Sequence, residues 1–93
     1  MARIERDVKI PNKYGLHVIP ARLFVELASR YGSRIDVSNG SLSVDAKSIM
    51  SVMRLAGTRG TVLTIRADGD DAQTAADALV ALVADGFGEM DDD

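Results

Sequence analysis

The chain has 93 residues, no cysteine, a single histidine and a formal net charge of −3. That length fits one domain, and the residue counts exclude disulfide scaffolds, thiol catalysis and metal sites built from cysteines or several histidines. No apolar stretch approaches the ~20 residues of a membrane span and the first residues lack the apolar core of a signal peptide, so we expect a cytoplasmic domain with no metal and no membrane insertion.

Two different hydrophobic periods predict the first two elements. Residues 3–10 alternate between apolar and charged side chains, which is typical of a half-buried strand. From about residue 18 to residue 30 the apolar positions recur at helical spacing. Pro20 fits the first turn of this helix, because its missing N–H costs nothing there. Gly32 is predicted to end the helix.

A hairpin is predicted next. Residues 34–38 and 41–45 both alternate, and Asn39 and Gly40 lie between them. An Asn-Gly pair between alternating runs is the strongest short hairpin signal. We therefore expect two paired strands joined by a two-residue turn.

The second half of the chain predicts a helix, a strand and a helix. A short helix begins after Ser48, a good N-cap residue, and runs to about residue 55. Residues 61–67 are rich in β-branched residues and alternate, which favours a strand. Residues 68–71 are predicted to turn and to cap a last helix, which ends near Gly86.

The order of these elements predicts the fold class. One strand, a helix, two strands, a helix, a strand and a helix (βαββαβα), with strands that are apolar on one face only, indicate an α+β open-faced β-sandwich. It has a four-stranded antiparallel sheet with three helices on one face. Residues 1–88 form the single domain. Residues 89–93 are acidic, and we expect them to be a solvated, disordered end.

His17 is the strongest candidate for chemistry. It comes directly before the first helix, so its imidazole can lie beside free backbone N–H groups, those of Val18 and Ile19 onward, which favour an anion. Residues 1–60 also hold ten of the eleven basic residues, which suits phosphate, although such a split is common on ordinary surfaces. A neutral imidazole is a usable nucleophile. The alternative is a loop histidine with no role.

Two segments resemble a known family. Residues 15–21 (GLHVIPA) resemble the active-site signature of HPr, the histidine-containing phosphocarrier family of the bacterial phosphoenolpyruvate:sugar phosphotransferase system. Residues 44–53 (VDAKSIMSVM) resemble the family's regulatory-serine signature. The element order matches as well, so the resemblance covers nearly the whole chain.

The resemblance implies a stoichiometric carrier rather than an enzyme, with no cofactor. His17 would accept a phosphoryl group from phospho-enzyme I, on its Nδ1 atom, and pass it to enzyme IIA-type partners. Ser48 would be phosphorylated by HPr kinase/phosphorylase in organisms that have that enzyme, and a helix N-cap tolerates the added dianion. We expect the carrier to be a monomer.

The helix after Ser48 carries candidate partner-binding residues. Ile49, Met50 and Met53 could form a pliable apolar patch that several partners share. Phosphate on Ser48 would then oppose acidic or apolar partner surfaces. The alternative is that these three side chains face the core and that Ser48 is only a cap.

Position 19 departs from the family pattern. The family has an arginine two residues after the histidine, where it pairs with phosphoryl oxygens, and Ile19 cannot do so. Arg22 lies one helical turn further on and is the candidate to replace it. The loss could instead mean a regulatory protein that acts mainly through Ser48 and protein binding, with weak or no transfer through His17.

A nucleic-acid role is the remaining alternative. Residues 57–60 (GTRG) have the G-x-x-G form of a KH loop. A KH loop joins two helices, however, whereas this segment leads into a strand, and the net charge is negative. We therefore expect no nucleic-acid binding.

Overall fold

The computed structural model describes residues 2–90 of the chain. Within them it has the predicted order of four strands and three helices, followed by a single 3₁₀ turn. Of the described helices, none is both long and apolar enough to cross a membrane. The elements are β1 (Ala2–Lys9), α1 (Val18–Ala28), β2 (Arg34–Ser38), β3 (Ser43–Asp45), α2 (Ile49–Met53), β4 (Val62–Gly69), α3 (Ala72–Ala84) and the 3₁₀ turn Gly86–Gly88.

The sheet is antiparallel throughout, with the order β1-β4-β2-β3. On the central strand β4, the side chains of Leu63, Ile65 and Ala67 are fully buried. On the opposite face Arg66 Nε lies 3.0 Å from Glu5 Oε2 of β1. One face is therefore apolar and covered by the helices, and the other is charged and open, as the alternation predicts.

The hairpin loop is longer than predicted. Ser38 pairs with Ser43, so four residues, 39–42, connect β2 and β3 instead of two. The side chain of Asn39 explains this, because its Oδ1 accepts the N–H of Leu42 at 2.8 Å and the backbone N–H of Asn39 donates to Leu42 O at 3.1 Å. The shift is two residues, the period of a strand, so Val44 still faces the core.

The ends of two helices also differ from the prediction. α1 ends at Ala28 with Ser29 as its C-cap, so Gly32 does not end it. Asp71 occupies the N-cap position of α3 without a capping side-chain bond. Its carboxylate instead accepts the backbone N–H groups of Gly32 and Ser33, each at 2.9 Å, and the Ser33 hydroxyl. The hydroxyl of Ser33, followed by the N–H of Gly32, lowers the pKa of Asp71.

Ser48 is the N-cap of α2, as predicted, and its Oγ accepts the N–H of Ser51 at 3.4 Å. At the other end of the chain, Gly86 follows α3 with φ +66°, and Phe87 is buried with φ +57°. These left-handed conformations turn the chain back toward α1. The structure describes the predicted acidic end only as far as Met90, and residues 91–93 lie outside the described part.

Candidate functional site

The loop that carries His17 rests on the turn before β4. The N–H of Leu16 donates to Gly57 O at 2.8 Å, and the N–H of Gly60 donates to Ile10 O at 2.8 Å. Gly15 has φ +63°, and a Cβ there would collide with Gly57 O and come within 2.9 Å of Thr58 Cα. The segment from 57 to 60 thus supports the loop of His17, a structural role that the sequence did not indicate.

His17 is the N-cap residue of α1. Its backbone is extended (φ −75°, ψ −173°), and its carbonyl accepts the N–H of Ala21 at 3.0 Å. Because Ala21 makes the first bond of the helix and Pro20 has no N–H, the amides of Val18 and Ile19 are the donors left at the start of α1. The imidazole is 37% exposed. The predicted juxtaposition of one imidazole with the positive end of a helix is therefore present.

The carboxylate of Glu89 contacts the imidazole of His17, a contact that the sequence did not predict. Its Oε1 and Oε2 are 2.9 Å and 2.7 Å from His17 Nε2, and its side chain is only 16% exposed. The expectation that the solvated end begins at residue 89 is thus wrong for Glu89, which packs against the domain. The sequence carried no signal for this contact, since the two residues are 72 positions apart and Glu89 stands in an acidic run.

Asn12 holds the carboxylate from the other side. It is fully buried, and its Nδ2 donates to Gly15 O at 2.9 Å and to Glu89 Oε1 at 3.1 Å. Both neighbours are acceptors, so only the amino end of the amide can face them. Among the described residues Asn12 Oδ1 has no partner. The sequence indicated only a loop at this position.

Tyr14 completes the surroundings of the imidazole. Its ring is 65% exposed and stands edge-on to the ring of His17, with the two centroids 6.4 Å apart. Lys13 Nζ lies 5.4 Å from the centroid of the Tyr14 ring. An aromatic ring thus stands beside the imidazole, which remains partly exposed.

Arg22 does not join this cluster. It is exposed on α1, and within residues 2–90 the structure gives its guanidinium no hydrogen bond or ion pair with His17 or Glu89. Ile19, where the resemblance implies an arginine, is 48% exposed. The role assigned to Arg22 stays a prediction.

The three candidate partner-binding residues do not face the core. Ile49, Met50 and Met53 are 37%, 76% and 38% exposed, while Val52 of the same helix is fully buried. We call Ile49, Met50 and Met53 the apolar patch. Because α2 packs against α1, the patch belongs to the helical side of the molecule, as His17 does.

The fold and the site together define a class of protein. A histidine lies at the start of the first helix of a small open-faced sandwich, and a serine caps the second helix. This is the arrangement of histidine phosphocarrier domains. The comparisons agree, since a family model described as "PTS HPr component phosphorylation site" matches residues 4–85. The chain belongs to the HPr family of phosphocarriers of the phosphotransferase system.

Its relatives include proteins named phosphocarrier protein HPr. That of Cupriavidus necator is 45% identical over 86 residues, which is 92% of this chain and 97% of the relative. That of Haemophilus influenzae is 47% identical over 78 residues, covering 84% and 92%. A protein named HPr-like protein Crh, from Halalkalibacterium halodurans, is 40% identical over 80 residues, covering 86% and 95%.

Solved structures share the fold. HPr from Thermoanaerobacter tengcongensis aligns with a TM-score of 0.88 at 45% identity, covering 92% of this chain and 97% of that chain. Another structure from that organism, described as an HPr dimer, aligns with a TM-score of 0.75 at 46% identity, covering 88% and 94%. These likenesses confirm the predicted α+β sandwich.

Proposed function

We propose that this chain is a cytoplasmic carrier in which His17 accepts a phosphoryl group on Nδ1 from phospho-enzyme I and delivers it to enzyme IIA-type proteins. The observation that supports this most directly is the state of the imidazole. Nε2 is hydrogen-bonded to Glu89 at 2.7 Å, whereas Nδ1 makes no hydrogen bond with the described residues. We therefore expect the phosphoryl group to be accepted on Nδ1.

The start of α1 is the site for the transferred group. A phosphoryl group on Nδ1 brings negative charge next to the amides of Val18 and Ile19, where backbone donors and the helix dipole stabilise it. The proposed site needs no cofactor, because the imidazole of His17 is itself the nucleophile that carries the phosphoryl group. The imidazole, the amides and Glu89 come from one chain, so we propose that a monomer is the working unit.

The apolar patch supplies a common docking surface for the partners. A surface that contains methionines can adapt to several proteins. Met50 is 76% exposed and is the most accessible residue of the apolar patch. Ser48 caps the helix that carries the patch. Phosphorylation of Ser48 by an HPr kinase/phosphorylase would place about two negative charges there and weaken docking of acidic or apolar surfaces.

Ile19 supports a second candidate function. An exposed isoleucine offers no donor to a phosphoryl oxygen, and a protein named HPr-like protein Crh is among the relatives. The alternative is a regulatory protein that works mainly through Ser48 and protein binding, with weak or no transfer through His17.

A phosphotransfer assay separates the two functions. Incubation of the chain with purified enzyme I and phosphoenolpyruvate should add one acid-labile phosphoryl group, seen by intact-mass spectrometry, and His17→Ala should abolish it. Labelling of Ser48 alone, by an ATP-dependent kinase, would favour the regulatory protein.

Arg22 is tested in the same assay. If its guanidinium moves over the phosphoryl group, Arg22→Ala should slow labelling by about 10- to 100-fold, since a charge-assisted hydrogen bond contributes ~1.5–3 kcal/mol. Arg30→Ala, at an exposed position just beyond the C-cap of α1, is the matched control and should be labelled at the normal rate. Equal rates for both variants would remove Arg22 from the mechanism.

A further inference from the structure

We propose that Glu89 is a positioning residue for His17, which holds the imidazole in the tautomer that has its proton on Nε2 and its lone pair on Nδ1. This inference rests on the proposed phosphocarrier function and adds to it a residue from the opposite end of the chain. The contact of both carboxylate oxygens with Nε2, at 2.9 Å and 2.7 Å, is the observation that carries it.

A carboxylate can only accept hydrogen bonds, so a proton between it and Nε2 belongs to the imidazole. In a neutral histidine the second nitrogen then has no proton. Glu89 therefore selects the tautomer whose Nδ1 is nucleophilic, whereas the opposite tautomer would present an N–H to the incoming phosphorus.

The carboxylate is itself held in place. Asn12 Nδ2 donates to Glu89 Oε1 at 3.1 Å while it also donates to Gly15 O at 2.9 Å, within the loop that carries His17. The Glu89 side chain is 16% exposed, so water competes with these contacts only weakly. A buried amide therefore fixes the position of the carboxylate, and the carboxylate fixes the ring.

The backbone before Glu89 is built for this contact. Phe87 is buried with φ +57°, a conformation that side-chain-bearing residues rarely adopt and that persists only where packing maintains it. Gly86 precedes it with φ +66°. This turn directs residue 89 to the mouth of α1 instead of into solvent.

Glu89 does not compete with the phosphoryl group for its binding site. Its hydrogen bonds among the described residues go to His17 Nε2 and Asn12 Nδ2, and none goes to the amides of Val18 or Ile19. The donors at the helix start remain available, so the geometry favours a positioning role over an autoinhibitory one.

The transfer step then balances with no additional base. The lone pair of Nδ1 forms the bond to phosphorus, and the donor's bond to phosphorus breaks, its electron pair returning to the donor. The proton stays on Nε2, so the ring gains positive charge as it is phosphorylated, and the carboxylate of Glu89 at 2.7 Å balances that charge. Delivery to the next protein reverses these changes.

The decisive experiment compares Glu89→Gln with Glu89→Ala. In Glu89→Gln, Asn12 Nδ2 should bind the amide oxygen, so that the amide N–H₂ faces Nε2 and favours the opposite tautomer, with the proton on Nδ1. In Glu89→Ala the ring is released and both tautomers are populated. Glu89→Gln should thus transfer the phosphoryl group more slowly than Glu89→Ala. A purely structural role of Glu89 would not produce this order, because Glu89→Gln preserves the shape of the side chain.

Two readouts are needed. Nitrogen-15 NMR of the imidazole, at a pH where the ring is neutral, reports the tautomer without any partner protein, and the initial rate of labelling by enzyme I and phosphoenolpyruvate reports the transfer. We expect labelling about 10-fold slower in Glu89→Ala, because the charge that develops on the ring loses its carboxylate partner, and slower still in Glu89→Gln, with the Nδ1–H form enriched only in the latter. Asp85→Asn makes the same charge change at an exposed position and should match the wild type in both readouts.

The outcomes separate the two proposals. Wild-type chain that is not labelled by enzyme I contradicts the proposed function, and the NMR measurement then still decides the role of Glu89. Wild-type labelling together with an unchanged tautomer and rate in Glu89→Gln overturns the positioning role and leaves the carrier intact.

Discussion

At the scale of single residues, the site depends on small groups that leave room for close backbone contacts. Gly15 allows the loop of His17 to approach the 57–60 turn closely enough for Leu16 to bond Gly57 O at 2.8 Å. A side chain at position 15 would be unfavourable for two reasons. The φ of +63° is strained for any residue with a Cβ, and Gly57 O occupies the space of that Cβ. The position of the imidazole therefore depends on a residue that has no chemistry of its own.

Gly15→Ala should lower the free energy of unfolding, measured in urea, more than Gly60→Ala does. Both glycines have positive φ, but a Cβ at Gly60 meets nothing within 4 Å. Left-handed strain alone costs about 1–2 kcal/mol, so Gly60→Ala should lose about that much. Gly15→Ala should lose ~1–2 kcal/mol more for the displaced backbone. Equal losses would show that the contact with Gly57 is not tight.

At the scale of elements, Asp71 joins the segment directly before β2 to the start of α3. Its carboxylate accepts the N–H groups of Gly32 and Ser33 at 2.9 Å each, and the hydroxyl of Ser33. These bonds favour the ionised form, so the pKa of Asp71 is lower than its ordinary value of 3.8. The connection between this segment and α3 thus depends on one charge.

This connection predicts an acid dependence with a definite sign. A carboxyl group whose pKa is lower in the folded chain stabilises the fold above its unfolded value of 3.8, and the stabilisation is lost as pH falls through the lower folded value. Asp71→Asn should therefore be less stable than wild type at neutral pH, and the difference should shrink in acid. Urea unfolding over a pH series measures it, with Asp70→Asn, at an exposed neighbour, as the control. A constant difference at all pH values would contradict the role of the charge.

At the scale of the whole molecule, the candidate site and the apolar patch lie on the helical side, while the open face of the sheet carries a mixture of charges. β4 shows both characters, since Leu63 is buried under the helices and Arg66 pairs with Glu5 on the open face. The apolar patch lies on α2, away from that charged face. Partner proteins should therefore recognise one side of the sandwich only.

Met50→Glu should impair transfer and leave the fold intact. The side chain is 76% exposed, so the free energy of unfolding should change by no more than about 0.5 kcal/mol. The KM for the chain in labelling by enzyme I should rise about 10-fold, because a charge placed in an apolar contact is unpaired. Val62→Glu adds the same charge at a 46% exposed position on β4 and should leave KM unchanged. A similar rise in both variants would indicate a general charge effect.

Most of the fold was predictable because its signals are local. The alternation of apolar and polar residues predicted the ends of β4 to within two residues. It also predicted that Leu63 of β4 and Val44 of β3 face the core. The errors occurred where side chains formed bonds that no period encodes. The side chain of Asn39 bonded within its own loop and lengthened the hairpin, and the side chain of Asp71 bound Gly32 and Ser33 before β2 instead of capping α3.

The sequence by itself determined that a histidine stands at the start of a helix and a serine caps another, because periodicity and capping act over a few residues. Only the tertiary structure decided what touches the imidazole. Glu89 reaches Nε2 of His17 across 72 positions, and the buried Asn12 donates to the same carboxylate. Both contacts depend on how α3 and the turn after it pack against the loop before α1. Such contacts are products of the folded chain as a whole, and no segment of the sequence contains them.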